Sequence, residues 1–167
     1  ETRRVVFVVI DGARATEFFE QPAHQNTPRL WNELRPQGYL SHAFYNFGVT
    51  ETVSGHASLL TGTFQTLPDD GTIRPTMPTI WEYYLTAGEA PDEDCFVATY
   101  KPKLRCVSYS THPEYGPPDS ARAFGPTYSD QNSTVAWLND ALVRAPQVSM
   151  LALGRTDQVG HEGDWIG

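Results

Sequence analysis

Residues 5–12 read VVFVVIDG. An unbroken apolar run rich in β-branched side chains, without polar alternation, is what a strand buried on both faces of a parallel sheet requires, and the Asp-Gly that ends it marks the turn out of the sheet. Working outward, QVSMLALG (147–154) is a second run of the same kind and CFVATY (95–100) a third. Between them lie helix patterns with their own stops. TPRLWNELRPQG (27–38) has a Thr cap, Pro at its first helical position and a closing Gly, and PTIWEYYLTAG (78–88) repeats the scheme. SDQNSTVAWLNDALVRAP (129–146) predicts a further helix, and a shorter one spans about Ser54 to Leu60 within TETVSGHASLLTG (50–62). A strand is expected at roughly 39–46, a loop over the Pro/Gly/Asp-rich FQTLPDDGTIRPTMP (64–78), and an irregular excursion over 110–126. The alternation of strands and helices predicts an α/β fold: a largely parallel sheet with helices on both faces.

At 167 residues the chain is long enough for one real core, and no linker or repeat divides it. It is 40% apolar and 12% aromatic, and no stretch is long enough to span a bilayer. A net charge of -8 argues against a nucleic-acid polymer as partner, yet leaves room for a small anionic substrate at a local cationic site. No signal peptide is visible at Glu1-Thr-Arg-Arg, which is also what a processed mature chain is expected to show. Cys95 and Cys106 are eleven residues apart and fit either a loop-closing disulfide or two reduced thiols. A periplasmic or secreted protein is expected, with a soluble cytoplasmic one as the alternative. Asn132-Ser-Thr matches a glycosylation sequon, a pattern too short to be informative.

In open α/β sheets functional groups gather beyond the carboxyl ends of the strands. Asp11 directly follows the first run, and Asp157 lies three residues past the last. Asp157 belongs to DQVGH, where His161 is four residues on and Gly160 permits a sharp turn between them, so carboxylate and imidazole can face one divalent ion. Thr52 and His56 open the short helix, where a hydroxyl has the positive end of the helix dipole behind it. Ser54 is the residue expected to cap that helix, and Gly62 to end it.

VVIDG, TPRLWNEL, TETVSGHASLLTG and DQVGHEGDW, in that order and separation, resemble the alkaline phosphatase superfamily, which includes phosphatases, nucleotide pyrophosphatase/phosphodiesterases and sulfatases. The resemblance covers nearly the whole chain. It implies that residues 1–167 are the N-terminal part of a single alkaline phosphatase-like catalytic domain, incomplete in this chain, and that the protein hydrolyses phosphate esters through a covalent phosphothreonine. It implies two divalent ions, zinc by preference, with Asp11 and Thr52 on one, Asp157 and His161 on the other, and Thr52 as nucleophile. Lys101 and Lys103 resemble the Lys-x-Arg pair that holds a dianion in some phosphomonoesterases, with Lys in place of Arg and so without its bidentate fork. The alternatives are a sulfate-ester or phosphonate hydrolase on the same site, or a metal- or oxyanion-binding fragment without turnover.

The chain departs from the family pattern in two further respects. Where many phosphodiesterases of the group have an Asn three residues after the nucleophile, this chain has Gly55, and no Asp-His dipeptide occurs anywhere in it. Half of each metal's ligands are thus expected from a C-terminal continuation.

Overall fold

The structure, a computed structural model, describes residues 4–88, 90–125 and 128–163. Glu1, Thr2 and Arg3 of the expected leaderless start, Asp164 and Trp165 of DQVGHEGDW, and Pro126 at the end of the Pro/Gly-rich stretch lie outside the described residues. Strands β1 (Val5–Ile10), β2 (Cys95–Thr99), β3 (Arg122–Phe124) and β4 (Val148–Leu153) pair only in parallel, in the order β1-β4-β2-β3. The helices are α1 (Ala15–Phe18), α2 (Thr52–Thr61), α3 (Ile80–Gly88), α4 (Asp130–Val143) and α5 (Arg155–His161). The fold is therefore α/β with an all-parallel sheet. Among the described residues no helix is long and apolar enough to cross a membrane.

Each face of the sheet has its own apolar layer. On one, Val53, Ala57 and Leu60 of α2 and Trp81 and Leu85 of α3 pack on Val97, Met150 and Ala152 of the central strands. Trp81 is fully buried, donates its indole N–H to the Val107 carbonyl at 2.9 Å, and meets Phe7 edge to face with ring centroids 6.4 Å apart. On the other face Trp137 of α4 covers Phe96, Ala98 and Leu151. Bidentate pairing of Arg122 on β3 with Asp140 on α4, at 2.7 and 2.8 Å, ties that helix to the sheet edge.

Several expectations need correction. β1 is an edge strand: Phe7 and Val9 pack on the core, but Val6 and Val8 are 43% and 58% exposed, because none of the described helices covers their face. An apolar run meets the composition of a central strand without occupying the centre.

The strand expected at 39–46 does not form. Tyr39, Phe44 and Tyr45 are exposed, and the Asn46 side chain accepts the Gly48 amide at 2.9 Å, a local turn that competes with pairing. The excursion over 110–126 is not wholly irregular, since Arg122–Phe124 within it is β3, paired with Phe96–Ala98 of β2. The helix expected at 27–38 is present over 28–37 but irregular: after α residues at 28–29 it continues as a π turn over Leu30–Leu34 and a 3-10 turn over Arg35–Gln37. Pro36 supplies no amide and crowds the preceding turn, which accounts for the irregular ending.

Cys95 and Cys106 are buried free thiols. Burial drives their pKa up, to about 12 and about 11 respectively, so neither is a ready nucleophile.

Candidate active site

Strand order explains why residues far apart in sequence meet. β4 lies between β1 and β2, with Ile10 beside Leu153 and Thr99 beside Ala152, so the carboxyl ends of all three strands reach the same edge. Asp11 leaves β1, Tyr100 and Lys101 leave β2, and Gly154 leads from β4 into α5, which carries Asp157. α2 brings Thr52 to the same place as its first residue.

The groups are hydrogen-bonded to one another. The Lys101 ammonium donates to Asp11 Oδ2 at 2.6 Å, to Asp157 Oδ2 at 2.6 Å and to Thr52 Oγ1 at 3.0 Å, while the Thr52 hydroxyl donates to Asp11 Oδ2 at 3.1 Å. Burial works against the Lys101 charge, but the bonds to Asp11 and Asp157 outweigh it and raise its pKa above the ordinary 10.5. Two glycines make the approach possible. Gly12 has φ +71°, and a Cβ there would lie 2.6 Å from the Asp157 Cα. A Cβ on Gly154 would lie 2.7 Å from the Tyr100 ring and 3.4 Å from Lys101 Cε.

His161 stands at the last position of α5, its Nε2 3.5 Å from Asp157 Oδ1, with a side chain 79% exposed. The expected sharp turn at Gly160 is absent: residues 155–161 are helical, and Asp157 and His161 share a face through i,i+4 spacing. Lys103 follows Lys101 into the same cleft, where its ammonium pairs with Asp69 at 2.5 Å. Thr52, Asp69, Tyr100, Lys101, Lys103, Tyr128, Asp157 and His161 are among the walls of this cleft of about 640 Å³. Asp11 is not part of this wall and is joined to it through its bonds with Thr52 and Lys101.

Two corrections concern α2, the helix that Thr52 opens. Ser54 does not cap it; its hydroxyl is buried, donates to the Leu67 carbonyl at 3.2 Å and accepts the Leu67 amide at 3.0 Å, stapling the following loop to α2. The cap comes from that loop: Asp69 Oδ1 accepts the Val53 amide at 2.9 Å. Lys103 and the Val53 amide overcome the opposing effect of burial and lower the Asp69 pKa below 3.8. Sequence reasoning missed Asp69, since LPDDG reads only as a turn and nothing local shows that its carboxylate reaches back sixteen residues. Gly62 ends the helix as expected, with φ 69°.

His56 is buried beneath Thr52. Its Nδ1 lies 2.7 Å from the Thr52 carbonyl oxygen, which can only accept, so the proton is on Nδ1 and Nε2 is a bare acceptor with no partner among the described residues. Burial lowers its pKa below 6.5 and favours the neutral ring.

The donor set bears on whether a divalent ion fits. Two carboxylates and a hydroxyl converge on one positive charge, with an imidazole beside one carboxylate, which is the chemistry of a hard-to-borderline cation site. Among the described residues no three His, Cys, Asp or Glu side chains gather closely enough to form a complete metal site. The residues present thus fit part of such a site. No family model, curated protein or solved structure matches this chain.

Proposed function

We propose that this chain carries the phosphoryl-transfer centre of a metal-dependent phosphate-ester hydrolase with Thr52 as nucleophile, as the N-terminal part of an alkaline phosphatase-like domain. The observation that supports the reading most is the convergence of Asp11, Thr52, Lys101 and Asp157 from four separate chain segments into one hydrogen-bonded cluster at the wall of an open cleft. A structural ion pair needs neither the cleft nor the hydroxyl.

Asp11, Thr52, Asp157 and His161 would hold the divalent ions, with remaining ligands from outside the described residues. Bound ions would supply positive charge that eases deprotonation of the hydroxyl and balances charge on the phosphoryl oxygens. Without a bound ion, Thr52 Oγ1 donates to Asp11 Oδ2 and accepts from the Lys101 ammonium, so its proton has an acceptor in place. Its oxygen attacks phosphorus in line, the bond from phosphorus to the leaving oxygen breaks, and that oxygen departs with a proton. Water then attacks the phosphothreonine, restoring the hydroxyl and releasing phosphate. Tyr100 and Tyr128, with rings at 6.0 Å edge to face, form an apolar wall for the ester's organic group.

Hydrolysis of p-nitrophenyl phosphate and bis-p-nitrophenyl phosphate with added zinc tests the reading. T52A is expected to lose roughly 10³-fold or more in turnover, and acid-quenched wild type to carry phosphate on Thr52 by mass spectrometry. Undiminished turnover in T52A sinks the proposal. Sulfate and phosphonate esters in the same assay separate the alternative chemistries.

A further inference from the structure

The Lys101 ammonium occupies the point where the oxygens of Asp11, Asp157 and Thr52 converge, and its side chain is only 13% exposed. Lys101 and Lys103 are the only lysines in the chain, and both line the cleft. Lys103 makes its ion pair elsewhere, with Asp69. We infer that Lys101 is an internal counter-ion: it neutralises Asp11 and Asp157 in the metal-free protein, and a divalent cation must displace it into the cleft, where the freed ammonium meets the substrate's phosphoryl oxygens. This rests on the function proposed above, and assigns Lys101 two alternating positions.

The argument is one of shared ligands. Asp11 Oδ2 and Asp157 Oδ2 each spend their shortest contact, 2.6 Å, on the same nitrogen. A cation bound through these oxygens would stand next to an ammonium, and like charges at such a distance repel strongly where solvent is scarce. The ammonium has somewhere to go, since Lys101 is itself part of the cleft wall and Gly154 leaves its stem free of a neighbouring Cβ. Lys101 is thus a competitor of the metal and a binding residue for the anion, in turn.

Zinc affinity, measured by competition with a chromogenic chelator, separates this from a general charge effect. K101M and K103M remove the same charge from the same cleft, but only the first removes the competitor. K101M is expected to bind zinc about tenfold more tightly than wild type or more, and K103M to stay close to wild type; equal gains in both, or no gain in K101M, overturn the inference. A second readout needs no variant. Amine acetylation followed by mass spectrometry reports on two side-chain sites only, apart from the α-amino terminus, and zinc is expected to raise the Lys101 rate while leaving Lys103 unchanged. Turnover with Lys101 still protected at saturating zinc overturns the counter-ion alone, whereas absence of both zinc binding and turnover overturns it together with the proposed function.

Discussion

Asp69 offers a quantitative test of how the helix bearing Thr52 is held. Its carboxylate has two tasks: Oδ1 accepts the Val53 amide in the first turn of α2, and Oδ2 pairs with Lys103. Removing a cap acceptor costs about 1 kcal/mol, and a partly exposed ion pair is worth about 0.5 kcal/mol. D69A should therefore lose about 1.5 kcal/mol, and D69N, whose amide oxygen can still accept the Val53 N–H, only about 0.5 kcal/mol. With an m-value of about 2 kcal/mol/M these correspond to falls in the urea midpoint of about 0.7 and 0.25 M. The pH dependence has a definite sign. The folded pKa of Asp69 lies below 3.8, so its contribution is complete above that value and is lost as pH falls through the folded pKa. The gap between wild type and D69A should be constant from about pH 5 to 7 and narrow below about pH 4 by the ion-pair share of about 0.5 kcal/mol, since the protonated carboxyl can still accept the Val53 N–H. Equal losses in D69N and D69A would refute the cap as the main term, and a gap that does not narrow at low pH would refute the role of the charge.

The buried Glu82 accepts the amide and hydroxyl of Thr79 at 2.7 and 2.8 Å and those of Ser110 at 2.9 and 2.8 Å. E82Q turns one acceptor into a donor facing these groups and should cost about 3 kcal/mol in urea unfolding; a loss near zero would mean the four bonds carry no net stability. Gly12→Ala combines a positive φ with a Cβ overlapping Asp157, and should destabilise by about 3 kcal/mol; a wild-type melting curve would contradict the close approach. Neither cysteine should react with a disulfide reagent in the native protein at about pH 8, since thiolates are scarce at pKa values of about 11 and 12, whereas both should react in denaturant. A rapid native reaction at either would show that its burial is wrong.

The parts of the fold legible in the sequence are those set by neighbours along the chain. The Pro start and Gly stop of α3, the glycine ending α2 and the helix pattern that became α4 follow from local chemistry. Asp11 and Asp157 could be picked out because each lies just beyond an apolar run. Their juxtaposition could not, because it depends on β4 inserting between β1 and β2. The same limit explains the errors. An edge strand and a central one have the same composition when the edge is as apolar as β1, and a strand as short as Arg122–Phe124 has too few residues for a period to emerge from Pro- and Gly-rich surroundings. Asp69 reaches α2 through a tertiary contact that no spacing rule encodes.

The charges around the cleft carry the functional argument one step further than the sequence did. KPK read alone suggests a positive grip for an anion, but each ammonium is already paired, and the lining sets Asp69, Asp70 and Asp157 against Lys101 and Lys103, with Asp11 behind them. With its carboxylates ionised, such a surface repels a phosphate dianion. The chain's net charge of -8 adds to that repulsion at low ionic strength. A phosphate ester thus has reason to enter only after positive charge has been added, so under the proposed function cation binding precedes substrate binding. Steady-state kinetics then have a specific form: zinc dilution should raise the apparent KM for p-nitrophenyl phosphate, and saturating substrate should not rescue turnover at zero zinc. Equal substrate binding with and without zinc would contradict this electrostatic order.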